Sequence, residues 1–167
     1  MAAWLGLGAG NDFERGQTST EQFADAFLDQ FGLSISSDQF LAEFAAWPSG
    51  LLPGAAQLVA DLDVVTATLS NTNTIHWQSS FTQDVVVPMF SCHFPSFELG
   101  LAKPAEAIFA RAVELLDVDP GDVAFVDDNL VNIEAAKRVG LAAFHVRGPA
   151  EARSALATLP SLRASLG

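Results

Sequence analysis

Apolar positions recur at helical spacing over the first third of the chain. Phe23, Phe27 and Phe31 stand four residues apart, with Thr18, Ser19, Glu21 and Gln22 ahead of them and Gly32 behind. A hydroxyl residue three positions before Glu or Gln opens a helix and a glycine closes it, so one helix is expected between these marks. Ser36 and Gln39 repeat the start signal, and Phe40, Phe44 and Trp47 repeat the stripe. The pattern predicts a helical pair with an aromatic face, turned either to a core or to a ligand pocket.

After Trp47-Pro48-Ser49-Gly50 the periods alternate. Pro53 suits a first helical turn, and a helix can run to Leu62. Val64 to Leu69 is a β-branched run that breaks into Ser70-Asn71-Thr72-Asn73, and Val85 to Phe90 is a weaker strand candidate interrupted by Pro88. Pro104 to Leu116 predicts a helix with Ile108, Ala112, Leu115 and Leu116 on one side, and Asp119-Pro120-Gly121 a turn. Val123 to Val126 predicts a short strand ending in Asp127-Asp128. A helix from Val131 to Val139, stopped by Gly140, and a strand from Leu141 to Val146 come next, and the tail after Gly148 reads as a last helix. Strand, helix, strand, helix, strand implies an α/β fold with a parallel sheet.

Charge narrows the partners. Twenty acidic against eight basic residues give a net charge of -12, which argues against nucleic acid or an anionic membrane, since both are bound by Lys/Arg surfaces. No apolar run approaches the roughly 20 residues of a membrane span, and the opening Met1-Ala2-Ala3-Trp4 lacks a basic signal-peptide region. One cysteine, Cys92, excludes an internal disulfide, and no Cys/His cluster suggests zinc. The expected setting is reducing and cytoplasmic.

In an open parallel sheet, ligands sit beyond the carboxyl ends of the strands. The polar residues there are Ser70 to Asn73 and Asp127 with Asp128. Adjacent carboxylates repel unless a cation such as Mg²⁺ lies between them and solvent, though acids also begin helices. Ser70 and Asn71 are equally ordinary turn formers. Lys103 precedes a helix start, where the dipole disfavours a cation, so its placement has no local reason. A hydroxyl, an ammonium and an acid pair with Mg²⁺ would together suit phosphoryl oxygens.

Ser70 after its strand, Lys103 in Glu98-Leu99-Gly100-Leu101-Ala102-Lys103-Pro104, and Phe125-Val126-Asp127-Asp128-Asn129 followed by Asn132 resemble three successive motifs of the haloacid dehalogenase-like (HAD) hydrolases. Leu69-Ser70-Asn71-Thr72-Asn73 with His76-Trp77 is similar to bacterial sugar-phosphate phosphatases of that superfamily, glucose-1-phosphate phosphatases among them. The resemblance implies a Rossmann-like HAD core at 51–167 and a remnant of a small helical cap at 1–50. It implies that Ser70 and the Asn71 amide hold a phosphoryl group, that Lys103 neutralises it, and that Asp128 ligates Mg²⁺ with Asp127 close by. The implied substrate is a small phosphorylated metabolite. His76, with Asn73, is a candidate for the substrate pocket or simply a packed histidine; His145 reads as structural, and His93 has no readable partner.

The family's nucleophile is an Asp at the end of a first strand, which forms an aspartyl-phosphate. No such motif precedes the helical pair: Met1 to Gly10 contains no acid, and Asp12 follows no strand-like run. Asp61-Leu62-Asp63 has the right spacing but precedes its strand, roughly 20 Å from Ser70 at 3.3 Å per residue. Because that first strand is central in the family's sheet, the expectation is a chain lacking its N-terminal strand. Three other readings stay open. A haloacid dehalogenase would need no Mg²⁺; a receiver domain carries its acid pair first and Lys last, the reverse of the order here; a non-catalytic Mg²⁺- and phosphate-binding module would need no nucleophile.

Overall fold

The structure, a computed structural model, describes residues 8–48 and 50–166. The first seven residues of the expected cap remnant, Ser49 of the expected boundary and Gly167 lie outside the described residues. The chain divides into two compact units, one of Met1–Gly50, Leu69–Pro88 and Phe94–Ala102, the other of Leu51–Thr68, Met89–His93 and Lys103–Gly167.

In the first unit, α1 (Gly8–Glu14), α2 (Thr20–Phe31) and α3 (Ser37–Ala45) carry the aromatic stripe. Ser19 opens α2 by a reciprocal cap: its Oγ accepts from Gln22 N at 3.2 Å, and Gln22 Oε1 accepts from Ser19 N at 2.9 Å. Two otherwise unmet donors at the helix start are thereby satisfied. Ser36 Oγ accepts from Gln39 N at 3.1 Å and starts α3. Gly32 ends α2 at φ 60°, where a side chain would be strained. Phe13, Phe23, Ala24, Leu28, Phe40 and Phe44 form one buried cluster. Phe23 stacks on Phe13 with centroids 4.4 Å apart and touches the rings of Phe40 and Phe44 at 5.7 and 5.2 Å. The two ends of the stripe depart from expectation, since Phe31 and Trp47 are exposed.

The next elements correct three expectations. The helix after Pro53 is α4 (Ala55–Ala60), because Pro53 and Gly54 occupy a turn ahead of it. The strand expected over Val64 to Leu69 is β1 (Ala67–Ser70), leaving Val65 71% exposed. Pairing begins only at Thr66, whose carbonyl accepts from Ser91 N and Cys92 N; β-branched residues without a partner ladder stay outside the strand. After the short α5 (Thr74–Trp77), the run around Pro88 forms a π turn over Thr82–Val86 and a 3₁₀ turn over Val87–Met89. Proline lacks the N–H a ladder needs and its φ suits helical turns. The strand there is β2 (Cys92–Pro95), which pairs with β1, and α6 (Ser96–Leu99) follows it.

In the second unit, α7 (Glu106–Leu116) buries Ile108, Phe109, Ala112 and Val113, while Leu115, expected on that side, is exposed. The strand β3 (Ala124–Asp127) leads into α8 (Leu130–Val139), which stops at Gly140, and β4 (Ala142–His145) returns parallel to β3 with Asp127 opposite His145. The tail forms α9 (Pro149–Leu156) and α10 (Arg163–Leu166); Leu58, Val146, Ala152, Leu156, Leu162 and Leu166 make one cluster. The fold is α/β, and its strands form two two-stranded sheets, with no strand joining them among the described residues. No described helix is long and apolar enough to cross a membrane.

Phe23, fully buried, and Phe31, exposed on the same helix, give an internal contrast. Phe23→Ala is expected to lower stability by about 3–5 kcal/mol in urea unfolding, and Phe31→Ala by far less. Equal losses would contradict the assignment of the core face.

Candidate functional site

A four-residue strand brings Asp127 and Asp128 to the carboxyl end of β3, where the chain turns into α8. The two carboxylates have different surroundings. The side chain of Asp127 is nearly out of water, and its Oδ2 accepts from Lys103 Nζ at 2.7 Å in an ion pair whose side chains are 8% and 12% exposed. Its Oδ1 accepts from Asn129 N at 2.8 Å and from Asn132 Nδ2 at 3.0 Å. Lys103 Nζ also lies 5.6 Å from the Phe125 ring centroid, within cation–π reach. Asp128 is exposed, and no hydrogen bond or ion pair engages its carboxylate among the described residues; its carbonyl accepts from His145 Nε2 at 3.0 Å. Asn132, itself buried, was visible in the motif, but its service to Asp127 was not.

Mg²⁺ takes oxygen ligands and commonly needs only one or two carboxylates beside water and substrate phosphate. No group of three or more His, Cys, Asp or Glu gathers as a metal cluster among the described residues. The residues fit such a sparse site through Asp128. Both Asp127 oxygens already accept from nitrogen donors, which commits Asp127 to Lys103, Asn129 and Asn132.

The other predicted residues lie in the first unit. Ser70 ends β1 and is half-buried. Asn71 and Asn73 line a cavity of about 370 Å³ together with Glu14, Phe44, Trp47, Thr72 and His76. Asn73 is buried, and its side chain is spent locally: Oδ1 accepts from His76 N at 3.0 Å, capping α5, and Nδ2 lies 3.2 Å from His76 Nδ1. His76 Nε2 lies 2.8 Å from the Phe44 carbonyl. A carbonyl only accepts, so Nε2 carries the proton and Nδ1 takes the amide of Asn73. Burial pushes the His76 pKa below its ordinary value, against a smaller upward pull from the Phe44 carbonyl.

Sequence reasoning missed Ser96 and Glu14. Ser96 is fully buried; its Oγ accepts from Thr72 N at 2.9 Å and donates to the Glu14 carbonyl at 2.6 Å, joining the end of α1 to the loop after β1. A lone serine beside a proline carries no pattern that could have shown this. His93, without a readable partner in the sequence, lies 3.3 Å from Thr68 Oγ1 through its Nδ1. Asp61 pairs with Arg153 and accepts from Gln57 at 2.6 Å, and these bonds, Arg153 first, lower its pKa. Asp61 is thus a turn residue, and Asp12 lies within α1.

Two outcomes follow from these pairings. Removing Lys103 leaves a buried, uncompensated carboxylate, so Lys103→Met is expected to cost about 3 kcal/mol or more, measured by chemical denaturation. His76 has a folded pKa below the unfolded reference of about 6.5, so its contribution to stability is complete above that value. It is lost as pH falls from there through the lowered folded pKa. A His76→Gln variant should show a flatter stability profile over that interval, and an unchanged slope would detach His76 from it.

Residues 4–140 match the haloacid dehalogenase-like hydrolase family. A HAD family enzyme of Bacteroides thetaiotaomicron, solved in complex with magnesium and inorganic phosphate, superimposes with a TM-score of 0.75 at 25% identity, over 89% of this chain and 79% of that one. An L-2-haloacid dehalogenase of Xanthobacter autotrophicus with chloropropionic acid covalently bound shares the fold at 24% identity and a TM-score of 0.65, over 96% and 66%. Among curated proteins, the drimenol cyclase drtB of Aspergillus calidoustus is 38% identical over 53 residues, which is 32% of this chain but only 10% of the cyclase. With 137 of its 167 residues inside the family match, the chain belongs to the haloacid dehalogenase-like hydrolases.

Proposed function

We propose that this chain serves the Mg²⁺-dependent hydrolysis of a small phosphorylated metabolite, with Asp128 as the metal's carboxylate ligand. The observation that carries the reading is the division of labour at the end of β3: Asp127 is buried against Lys103, and Asp128 is left open. A buried ammonium fixed by a carboxylate and set over an aromatic ring is a preorganised positive group, suited to phosphoryl oxygens. The Bacteroides relative, solved with magnesium and inorganic phosphate, supports the same chemistry.

In this reading Ser70 and the Asn71 amide bind phosphoryl oxygens, as the resemblance implies, and Lys103 neutralises them. Asn132 and Asn129 hold Asp127 in place. Asn73 and His76, whose polar atoms are occupied by one another and by Phe44, shape the substrate pocket as walls and exchange no proton with substrate. Residues 1–50 act as a substrate-selecting cap and 51–167 as the core. When bound, Mg²⁺ supplies charge compensation and an electrophilic contact to the phosphoryl group. Sugar phosphates fall within the substrate class, and the working place is the cytoplasm.

Among the described residues no carboxylate follows a strand ahead of the helical pair, so this reading names no nucleophile. A second reading is a module that binds Mg²⁺ and phosphate without turnover, which needs none. A dehalogenase is less well supported, because an open acid beside a buried acid–lysine pair is of use chiefly around a cation. The tests separate the three. Isothermal titration of the 167-residue chain should show Mg²⁺ binding in the presence of phosphate, lost in Asp128→Asn; unchanged affinity would remove Asp128 from the site. The same chain should give no Mg²⁺-dependent hydrolysis of p-nitrophenyl phosphate, and turnover abolished by Asp128→Asn would reveal a nucleophile that this reading lacks. Metal-independent release of chloride from 2-chloropropionate would favour the dehalogenase.

A further inference from the structure

The carboxylate of Asp128 has no hydrogen bond to orient it among the described residues, so its aim depends on the backbone that bears it. That backbone is held on both sides. The peptide before it belongs to the parallel strand pair, where the Asp127 carbonyl accepts from Val146 N at 3.1 Å. The peptide after it is gripped at both of its polar groups. Its N–H, on Asn129, donates to Asp127 Oδ1 at 2.8 Å, and its carbonyl, on Asp128, accepts from His145 Nε2 at 3.0 Å. A carbonyl only accepts, so Nε2 of His145 carries the proton. His145 ends β4 opposite Asp127 in the register, and from there its exposed side chain reaches the bend that leads into α8. One residue further on, Asn129 Oδ1 accepts from Val131 N at 3.0 Å and fixes the helix start. The bend that carries Asp128 is therefore tied to both its strand partner and its helix.

We infer that His145 is a positioning residue for Asp128: by holding the Asp128 carbonyl it sets the plane of the Asp128–Asn129 peptide, and with it the direction of the carboxylate left open for Mg²⁺. This rests on the assignment of Asp128 to the metal, and it gives His145 no contact with substrate. A ligand whose backbone is already fixed loses no further freedom when the ion arrives, whereas a swinging one must be ordered by the ion itself. Mg²⁺ is sensitive to this, because it demands near-ideal octahedral geometry from few carboxylates. Asp127 is committed to nitrogen donors, so the neighbouring acid does not make good a misdirected Asp128. An exposed hydrogen bond adds little to the stability of the whole fold, so loss of the His145 donor is expected to show at the site and not in the melting of the protein.

The test compares the 167-residue chain with His145→Phe, which keeps a ring and removes the donor, and with His145→Gln, whose amide returns a donor near the place of Nε2. Isothermal titration with Mg²⁺ in the presence of inorganic phosphate is expected to show affinity about tenfold weaker in His145→Phe and largely restored in His145→Gln. Without metal, deuterium exchange of the Asn129 amide, followed by NMR, should be faster in His145→Phe and slow again in His145→Gln, while the thermal melts coincide. Metal affinity unchanged in His145→Phe would overturn the inference, and so would a loss that His145→Gln leaves uncorrected. The metal assignment fails separately, if the unaltered chain binds no Mg²⁺ or if Asp128→Asn binds it equally well. In that event the Asn129 amide decides alone: faster exchange in His145→Phe keeps His145 as the residue that orients Asp128, and an unchanged rate removes it.

Discussion

A carboxylate that is nearly out of water must be met on both oxygens, and the requirements of Asp127 organise the end of β3. Lys103 comes from the loop before α7, Asn132 from the first turn of α8, and the N–H of Asn129 from the bend between strand and helix. Two stretches, that of Lys103 and that of Asn129 and Asn132, are thereby held at one point, and removing any of these donors would leave the charge less compensated in a medium that penalises it. Strand geometry then decides what the neighbour can do. Successive side chains point to opposite faces, so Phe125 and Asp127 share the side that receives Lys103 and Val126 faces the other way, while Asp128 lies in the bend after the strand and is exposed. One acid, the last of the strand, anchors a cation, and the next, in the bend that follows, is left open to solvent.

Much of this was legible in the sequence, and what was legible shares a physical basis. Ser19, Ser36, Gly32 and Gly140 act through neighbours within four residues, so the helix starts and stops were readable from spacing alone. The strand of Asp127 was readable because a short apolar run between a turn and an acid pair has few alternatives. The strand over Val64 to Leu69 was placed too early because β-branched composition expresses a preference, whereas a strand needs a partner, and Ser91 and Cys92 supply one only from Thr66 onward. The misfit of Lys103 beside a helix start was a sound signal, and its explanation lay 24 residues away in Asp127. Ser96 and Glu14 gave no signal, since their importance comes from a contact 82 residues apart.

The aromatic stripe left open whether it faces a core or a pocket, and helix geometry shows why it does both. A spacing of four residues advances the side chain by about 40° beyond a full turn, so a stripe written at i, i+4, i+8 drifts around its helix. Phe23 is fully buried, Phe27 half-buried and Phe31 exposed, in that order. On α3 the drift runs from Phe40 to Phe44, and the chain leaves the helix before Trp47, whose indole still meets Phe44 at 5.0 Å but is exposed. Phe44 is the hinge of this arrangement: one side of its ring meets Phe23 and Phe40, while its neighbours on the cavity side are Trp47 and His76. Its carbonyl, at the last turn of α3, accepts from Trp47 N at 3.2 Å and also takes the proton of His76 at 2.8 Å. The same residue therefore closes the core, satisfies the helix end and sets the tautomer of the cavity's histidine. A change at Phe44 would act on stability and on the cavity together, whereas Trp47 touches the cavity with little hold on the core, and that separation is what makes the two properties of the stripe experimentally distinct.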